Sequence, residues 1–212
     1  MIELVGVKKA YRNHLVFEDV NLKIEDGKIN YIQGINGVGK SVLLKIICGL
    51  SLATEGKVLI DGKELGKEFD IIHNAGVSIN NPEFNHNWTG LENLMELAKI
   101  RHRIDREGIL AMAEDFDMAE NMNKKYKSYS LGMKQKLRIM QALMDQPKYL
   151  ILDEPFDALD QSSKEKTKQI LKDYLQTHEE SLLVYTSHER GSEDFADVIF
   201  EISENRIVKL KG

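Results

Sequence analysis

The sequence predicts an α/β fold, with a core of parallel strands and helices, an antiparallel β edge and a mostly helical insertion. Three observations predict it. Residues 149–154 read YLILDE, a nearly unbroken apolar run of the kind that forms a parallel strand covered on both faces. Residues 34–41 read GINGVGKS, a glycine turn between a short apolar strand and an apolar helix, which is the setting in which such a turn binds phosphate. From Asn80 onward a polar loop gives way to leucines at helical spacing, so a helical segment interrupts the core.

The elements follow in order. Residues 2–8 and 15–24 alternate apolar and polar side chains, as strands of an antiparallel edge sheet do. Asp26-Gly27 is a turn, and residues 29–33 (INYIQ) form a short strand leading into the glycine turn. Residues 41–50 (SVLLKIICGL) are apolar on most sides and closed by Gly49, which predicts a buried helix. Residues 56–60 read as a strand with Asp61-Gly62 as the hairpin turn after it. A further strand is expected over residues 71–79. Residues 80–85 (NNPEFN) are a loop, after which Thr89 caps a helix carrying Leu91, Leu94, Leu97 and Ala98. More helix is expected to about residue 119, then a polar loop over residues 121–127. The core resumes with a strand at 149–152, a helix from about 162 to 176 and a strand at 182–186. A final hairpin pairs residues 198–202 with 206–210 around Glu204-Asn205. No internal repeat or low-complexity segment is visible.

Composition narrows the class of function. The 212 residues suffice for one large domain or a core with an inserted subdomain. Apolar content of 42% and charged content of 30% are those of a soluble globular chain. A net charge of −5 gives no reason to expect binding to duplex DNA, which normally needs a basic surface, and no nucleic acid is expected as a partner. No apolar run approaches the roughly 18–20 residues that span a bilayer, and residues 1–13 lack the apolar centre and cleavage site of a signal peptide. Cys48 is the one cysteine, which excludes disulfide stapling and points to the cytosol.

Residues 34–41 fit GxxxxGK[ST] with the required strand before and helix after. Glycines let the backbone curl so that successive N–H groups converge on phosphate. Lys40 is placed for the β- and γ-phosphates and the Ser41 hydroxyl for Mg²⁺. The strand at 149–152 delivers Asp153, suited to hold Mg²⁺ through water, and Glu154, suited to polarise an attacking water. Either motif alone also fits a ligand-free glycine turn or a core strand followed by a surface acidic pair; together they favour a nucleotide site. A second helix start, at Ser130-Leu131-Gly132, offers free N–H groups and a partial positive charge to an anion.

These residues together resemble the ATP-binding subunit of ABC (ATP-binding cassette) transporters over about residues 2–210. Residues 34–41 match the Walker A motif and 150–154 Walker B. Tyr129-Ser130-Leu131-Gly132-Met133 sits where the family has its LSGGQ signature, followed closely by Gln135. Ala158-Leu159-Asp160 is similar to the D-loop and His188 to the switch histidine. The resemblance implies a P-loop NTPase of the ABC ATPase fold, with a RecA-like core, an antiparallel β subdomain and a helical insertion. As one domain over 1–212, it would have its core in 1–81 and 146–212 and its signature-bearing helical part in about 82–145. It implies ATP and Mg²⁺ as cofactors and a head-to-tail dimer, of two copies or of homologous subunits. In that dimer ATP lies between Walker A of one subunit and the signature of the other. Tyr11 would stack on adenine. Gly34, Asn36, Gly37, Val38, Gly39, Lys40, Ser41 and Val42 would line the phosphates, and Ser130, Gly132, Met133 and Asp160 would meet nucleotide across the dimer. Lys40, Glu154 and His188 would be catalytic, and Ser41, Asp153 and Asn80 would hold the metal.

Three departures from the family pattern stand out. Val42 replaces a usual Thr or Ser and so removes an α-phosphate hydrogen bond, worth about 0.5–1.5 kcal/mol net. Asn80 replaces the Q-loop glutamine with an amide one methylene shorter. The signature reads SLGM in place of SGGQ, a form similar to bacterial drug- and peptide-export ATPases of the bacitracin and lantibiotic resistance types. The resemblance therefore implies an ATPase subunit that powers a separate membrane permease, with export the expected direction, at the inner face of the cell membrane. A cytosolic ABC ATPase of regulatory, cell-division or cofactor-assembly type is the alternative. Glu154 and His188 argue against a module that barely hydrolyses. His14, His73, His86, His102 and His178 show no metal spacing and are expected at the surface, and Cys48 in the core. Phe84 and Trp88 either pack the core or help form a groove for a helix of the membrane subunit.

Overall fold

A computed structural model describes every residue of the chain except Asn13, Glu189 and Arg190. Its strands form two sheets. The first joins β1 (Ile2–Tyr11), β2 (His14–Ile24), β4 (Glu55–Ile60) and β5 (Lys63–Glu64), all antiparallel in the order β2-β1-β4-β5. The second has the order β10-β9-β3-β8-β7-β6. In it β3 (Ile29–Gln33), β6 (Ala75–Ser78), β7 (Tyr149–Leu152), β8 (Leu182–Thr186) and β9 (Val198–Ser203) run parallel, and β10 (Arg206–Lys211) returns antiparallel to β9.

The apolar run of β7 follows from two covered faces. Side chains alternate across a strand, so Tyr149 and Ile151 join one buried cluster while Leu150 and Leu152 join the other. The first cluster also holds α1 (Lys40–Cys48) and the inner face of the antiparallel sheet, including Val7, Phe17, Leu43 and Ile47. The second gathers α2 (Gly90–Arg101), α3 (Arg106–Asp115), α4 (Leu131–Leu143) and α5 (Gln161–Thr177) through Leu94, Ile109, Leu137 and Leu171. Among the described residues, no helix is long and apolar enough to cross a membrane.

Local chemistry sets the helix ends. At α2, Thr89 Oγ1 accepts the Glu92 N–H at 3.1 Å and the Glu92 carboxylate accepts the Thr89 N–H at 2.7 Å, a reciprocal cap. Asp160 caps α5 by accepting the Ser163 N–H at 2.8 Å. Buried Asn93 fixes the loop before α2, donating to Asn85 O and Thr89 O and accepting the Asn85 N–H.

Three expectations need correction. The strand expected over 71–79 is only Ala75–Ser78. Its partner β7 is four residues long, and the Ile72 N–H instead bonds Cys48 O at the end of α1. The helix expected to run to about 119 is two helices. His102 takes a left-handed conformation at φ 53°, Arg103 donates to Asn74 Oδ1 and Asp145 O, and Asp105 caps a fresh start at Gly108 N. The polar loop at 121–127 contains part of two 3-10 turns, at Ala119–Asn121 and Tyr126–Ser128.

Phe84 is partly buried and meets Tyr126 edge-on at 5.3 Å, whereas Trp88 is exposed. Cys48 is buried, and burial pushes its thiol up to about 12 from an ordinary 9.0. The folded state therefore disfavours the thiolate. This contribution to stability is complete below the ordinary thiol value and is lost as pH rises toward the folded one. We expect a maleimide or disulfide reagent at pH 8 to leave Cys48 unmodified in native protein and to label it fully in denaturant, as read by mass spectrometry.

Candidate functional site

Ligands of open parallel sheets collect beyond the strand C-termini, and four neighbouring strands here end in polar chemistry. In sheet order, β3 leads to the 34–41 turn, β8 to Ser187 and His188, β7 to Asp153 and Glu154, and β6 to Asn80. With strands spaced about 4.8 Å apart, segments remote in sequence share one edge.

The turn is tightly built. At Gly39 φ is +114°, and a Cβ there would lie 2.5 Å from Val16 Cγ1, so another residue would be strained and would displace the Val16 side chain of β2. Gly39 then starts α1. Lys40 is buried, and its ammonium donates to Gly34 O at 2.8 Å and Ile35 O at 3.4 Å. Among the described residues no carboxylate pairs with it. A buried cation satisfied only by carbonyls is suited to receive an anion. Asn36, Gly37, Gly39 and Lys40, with Ser41 and Val42 of the first turn of α1, face Glu154 and His188 across a cleft of about 350 Å³. A larger cavity of about 1000 Å³ lies between α3 and α5, lined by Met112, Phe116, Tyr174 and His178, but it has no phosphate-binding turn.

The acidic side of the cleft is held by one hydroxyl. Thr186 Oγ1 donates to Asp153 Oδ1 at 2.6 Å and accepts the Glu154 N–H at 3.0 Å. Glu154 sits at φ 51°, a conformation a residue with a Cβ keeps only where neighbours enforce it. Its carbonyl accepts Gln135 Nε2 at 3.2 Å, so both of its peptide groups are restrained. His188 Nδ1 lies 3.3 Å from Glu154 Oε1 and 3.8 Å from Asp157 Oδ1. The residue before it is tied down, because Tyr31 Oη donates to Ser187 O at 3.2 Å and Ser192 Oγ to Ser187 Oγ at 2.8 Å.

The comparisons with known proteins bear on this geometry. The sequence profile described as ABC transporter matches residues 17–157. The chain belongs to the ABC transporter family. The cassette is 33% identical over 212 residues to the bacitracin transport ATP-binding protein BcrA of Enterococcus faecalis, covering 99% of this chain and 68% of BcrA. It is 30% identical over 212 residues to the lantibiotic transport ATP-binding protein SrtF of Streptococcus pyogenes, covering all of this chain and 90% of SrtF. Its fold matches that of MJ0796, a bacterial ABC transporter cassette of dimeric structure, with a TM-score of 0.87 and 26% identity over the whole of both chains. The same cassette in a post-hydrolysis state bound to ADP and Pi gives 0.85 and 27%, again over both whole chains.

Other expected site residues stand apart from the cleft of the cassette. Ser130 caps α4 and its Oγ accepts the Met133 N–H at 3.2 Å, so that amide is engaged within the chain. A Cβ at Gly132 would lie 2.9 Å from Ala158 O, so glycine lets the start of α4 rest on the 158–160 loop. Asp160 caps α5, and the Ser163 amide bonded to it holds its carboxyl below the usual range. Tyr11 is 49% exposed, with the Lys9 ammonium 4.4 Å from its ring centroid. Asn80 is exposed at φ 57°, two residues beyond β6.

The donor set fits the groups that the family implies. The turn amides and the Lys40 ammonium suit phosphate, and the Ser41 hydroxyl, with the second oxygen of Asp153 acting through water, offers the hard oxygen donors Mg²⁺ takes. Thr186 and Tyr31 carry no motif in the sequence, and Gln135 is marked there only by its place just after the signature. Thr186→Val keeps the shape and removes the hydroxyl. Leaving the Glu154 N–H unpaired should cost about 1–3 kcal/mol, a Tm loss of roughly 2–4 °C per kcal/mol for a chain of this size. Thermal melts read the first effect. Phosphate-release assays should show kcat falling about tenfold or more with KM for ATP little changed, as expected where positioning and not binding is lost.

Proposed function

We propose that this cassette hydrolyses ATP between two copies, or between one copy and a homologous subunit, and thereby powers a separate membrane permease, with export the direction. The observation that carries the reading is a division of labour. Lys40, Ser41, Glu154 and His188 share one cleft, while the start of α4 at Ser130 does not line it. An anion-ready helix start outside its own chain's cleft calls for a nucleotide held by another subunit.

Within this reading Lys40 binds the β- and γ-phosphates, and Ser41, with Asp153 through water, would hold Mg²⁺, which would supply positive charge to the phosphate oxygens. Asn80 stands near the same edge as a further oxygen ligand. Glu154 accepts a proton from water as the water oxygen bonds to the γ-phosphorus and the bond to the β-phosphate oxygen breaks, releasing ADP and phosphate. His188, 3.3 Å from Glu154 Oε1, orients that carboxylate and meets the γ-phosphate. Tyr11 stacks on adenine, and Ser130, Gly132, Met133 and Asp160 face the nucleotide of the neighbouring subunit. The working parts are the core in 1–81 and 146–212 and the signature-bearing part in about 82–145, which contains α2, α3 and α4. Export, and a position at the inner face of the membrane beside a permease, are supported by the bacitracin and lantibiotic transport roles named for BcrA and SrtF.

Two substitutions test this together. Lys40→Ala should lower phosphate release by about 100-fold or more; unchanged turnover would overturn the assignment of the cleft. Glu154→Gln should bind ATP without turnover and accumulate as a dimer on size-exclusion chromatography. A chain that stays monomeric in saturating ATP would refute the shared site.

A further inference from the structure

Two buried polar side chains one turn apart on α4, Gln135 and Arg138, join that helix to two different loops. Gln135 Nε2 donates to Glu154 O at 3.2 Å and Pro155 O at 3.0 Å, just past β7. Its Oε1 accepts Arg138 Nη1 at 3.3 Å. The guanidinium otherwise points to the loop that leaves β6. There Nη1 donates to Asn81 Oδ1 at 3.0 Å, Nε to Pro82 O at 3.0 Å and Nη2 to Glu83 Oε1 at 3.1 Å. One side chain thus contacts three consecutive residues directly after Asn80. Arg138 is 8% exposed, and a buried charge persists only when paired and hydrogen-bonded. Its rigid planar fork can meet several acceptors at once, which a lysine cannot. The loop it holds contains two successive left-handed residues, Asn80 at φ 57° and Asn81 at φ 50°, a conformation asparagine adopts more readily than other residues with a Cβ.

We propose that Arg138 is a positioning residue for the two-subunit ATP site. It locks α4 to residues 81–83, while Gln135 locks the same helix to the main chain of Glu154. The Ser130–Gly132 end of α4 and the Glu154 carboxylate are therefore set by one continuous polar unit, and a shift of the 80–83 loop carries α4 with it. This inference rests on the dimer reading above. It goes beyond that reading by naming what aims the helix that a neighbouring nucleotide would meet.

The test uses the full chain carrying Glu154→Gln, alone and combined with Arg138→Met, Glu83→Gln or both. ATP-dependent dimerisation is measured by sedimentation equilibrium, and binding of a fluorescent ATP analogue is measured at protein concentrations where the chain is monomeric. Arg138→Met should weaken dimerisation by about tenfold or more while monomer affinity for the analogue stays within about twofold. Glu83→Gln should weaken dimerisation less, and the double variant should be no weaker than Arg138→Met alone, because the Glu83 contact is already lost in Arg138→Met. Arg138→Lys should restore only part of the loss. Folded Arg138→Met that dimerises as strongly as its parent overturns the proposal, as does a parallel loss of monomer nucleotide binding, which marks a general structural role. Should Arg138→Met fail to fold, unchanged dimerisation of Glu83→Gln overturns it equally. A Glu154→Gln parent that remains monomeric in saturating ATP overturns the shared site itself, and this inference with it.

Discussion

The Thr186 hydroxyl, fully buried at the end of β8, bonds to the two adjacent residues just past β7 at once. It donates a hydrogen bond to the Asp153 carboxylate and accepts one from the Glu154 amide, so the Asp153 side chain and the Glu154 main chain are held by a single atom. That arrangement requires β8 to lie between β3 and β7, which it does through parallel pairing with both. A strand order that separated β8 from β7 would leave Asp153 and the Glu154 amide without this partner. It would also move His188 away from Glu154. The geometry of the cleft therefore depends on sheet topology more than on any loop.

The same sheet explains the composition of the chain. Helices cover one face, while α1 and the antiparallel sheet cover the other, so central strands are apolar on both sides. Buried polar residues at strand positions are consequently rare. Buried Asn30 on β3 donates to Leu183 O and Lys28 O. The polar groups that matter for chemistry lie just past the strand ends, where the ladder stops and backbone and side chains are free to turn toward a ligand.

How much was legible differs by element. The bounds of β3, β7 and β8 follow from short apolar runs between turns, and the structure places them at the same residues. The strand before Asn80 is shorter than the apolar pattern suggests, because Ile71 and Ile72 look like strand although Ile72 bonds to the end of α1. The helix after Thr89 was read too long because helical spacing continues through residues 101–106. There, Arg103 is drawn to Asn74 and Asp145, and Asp105 starts a new helix. Within the site, Gly39, Lys40, Asp153 and Glu154 were visible because their chemistry is carried by neighbours in sequence. Thr186 and Arg138 were not, since each acts on residues more than 30 positions away.

By itself the sequence determined the local chemistry: a glycine turn leading into Lys40 and Ser41, an acidic pair at the end of an apolar strand, and a serine-capped helix start. Those features depend on a few consecutive residues and on backbone conformations that only certain side chains permit. The tertiary structure alone decided which of these features share a cleft, which helix start stays outside it, and which buried arginine joins α4 to the loop after Asn80. The physical reason is that parallel pairing and burial bring together segments far apart along the chain. No local propensity encodes that closure, and only the finished packing supplies the partners.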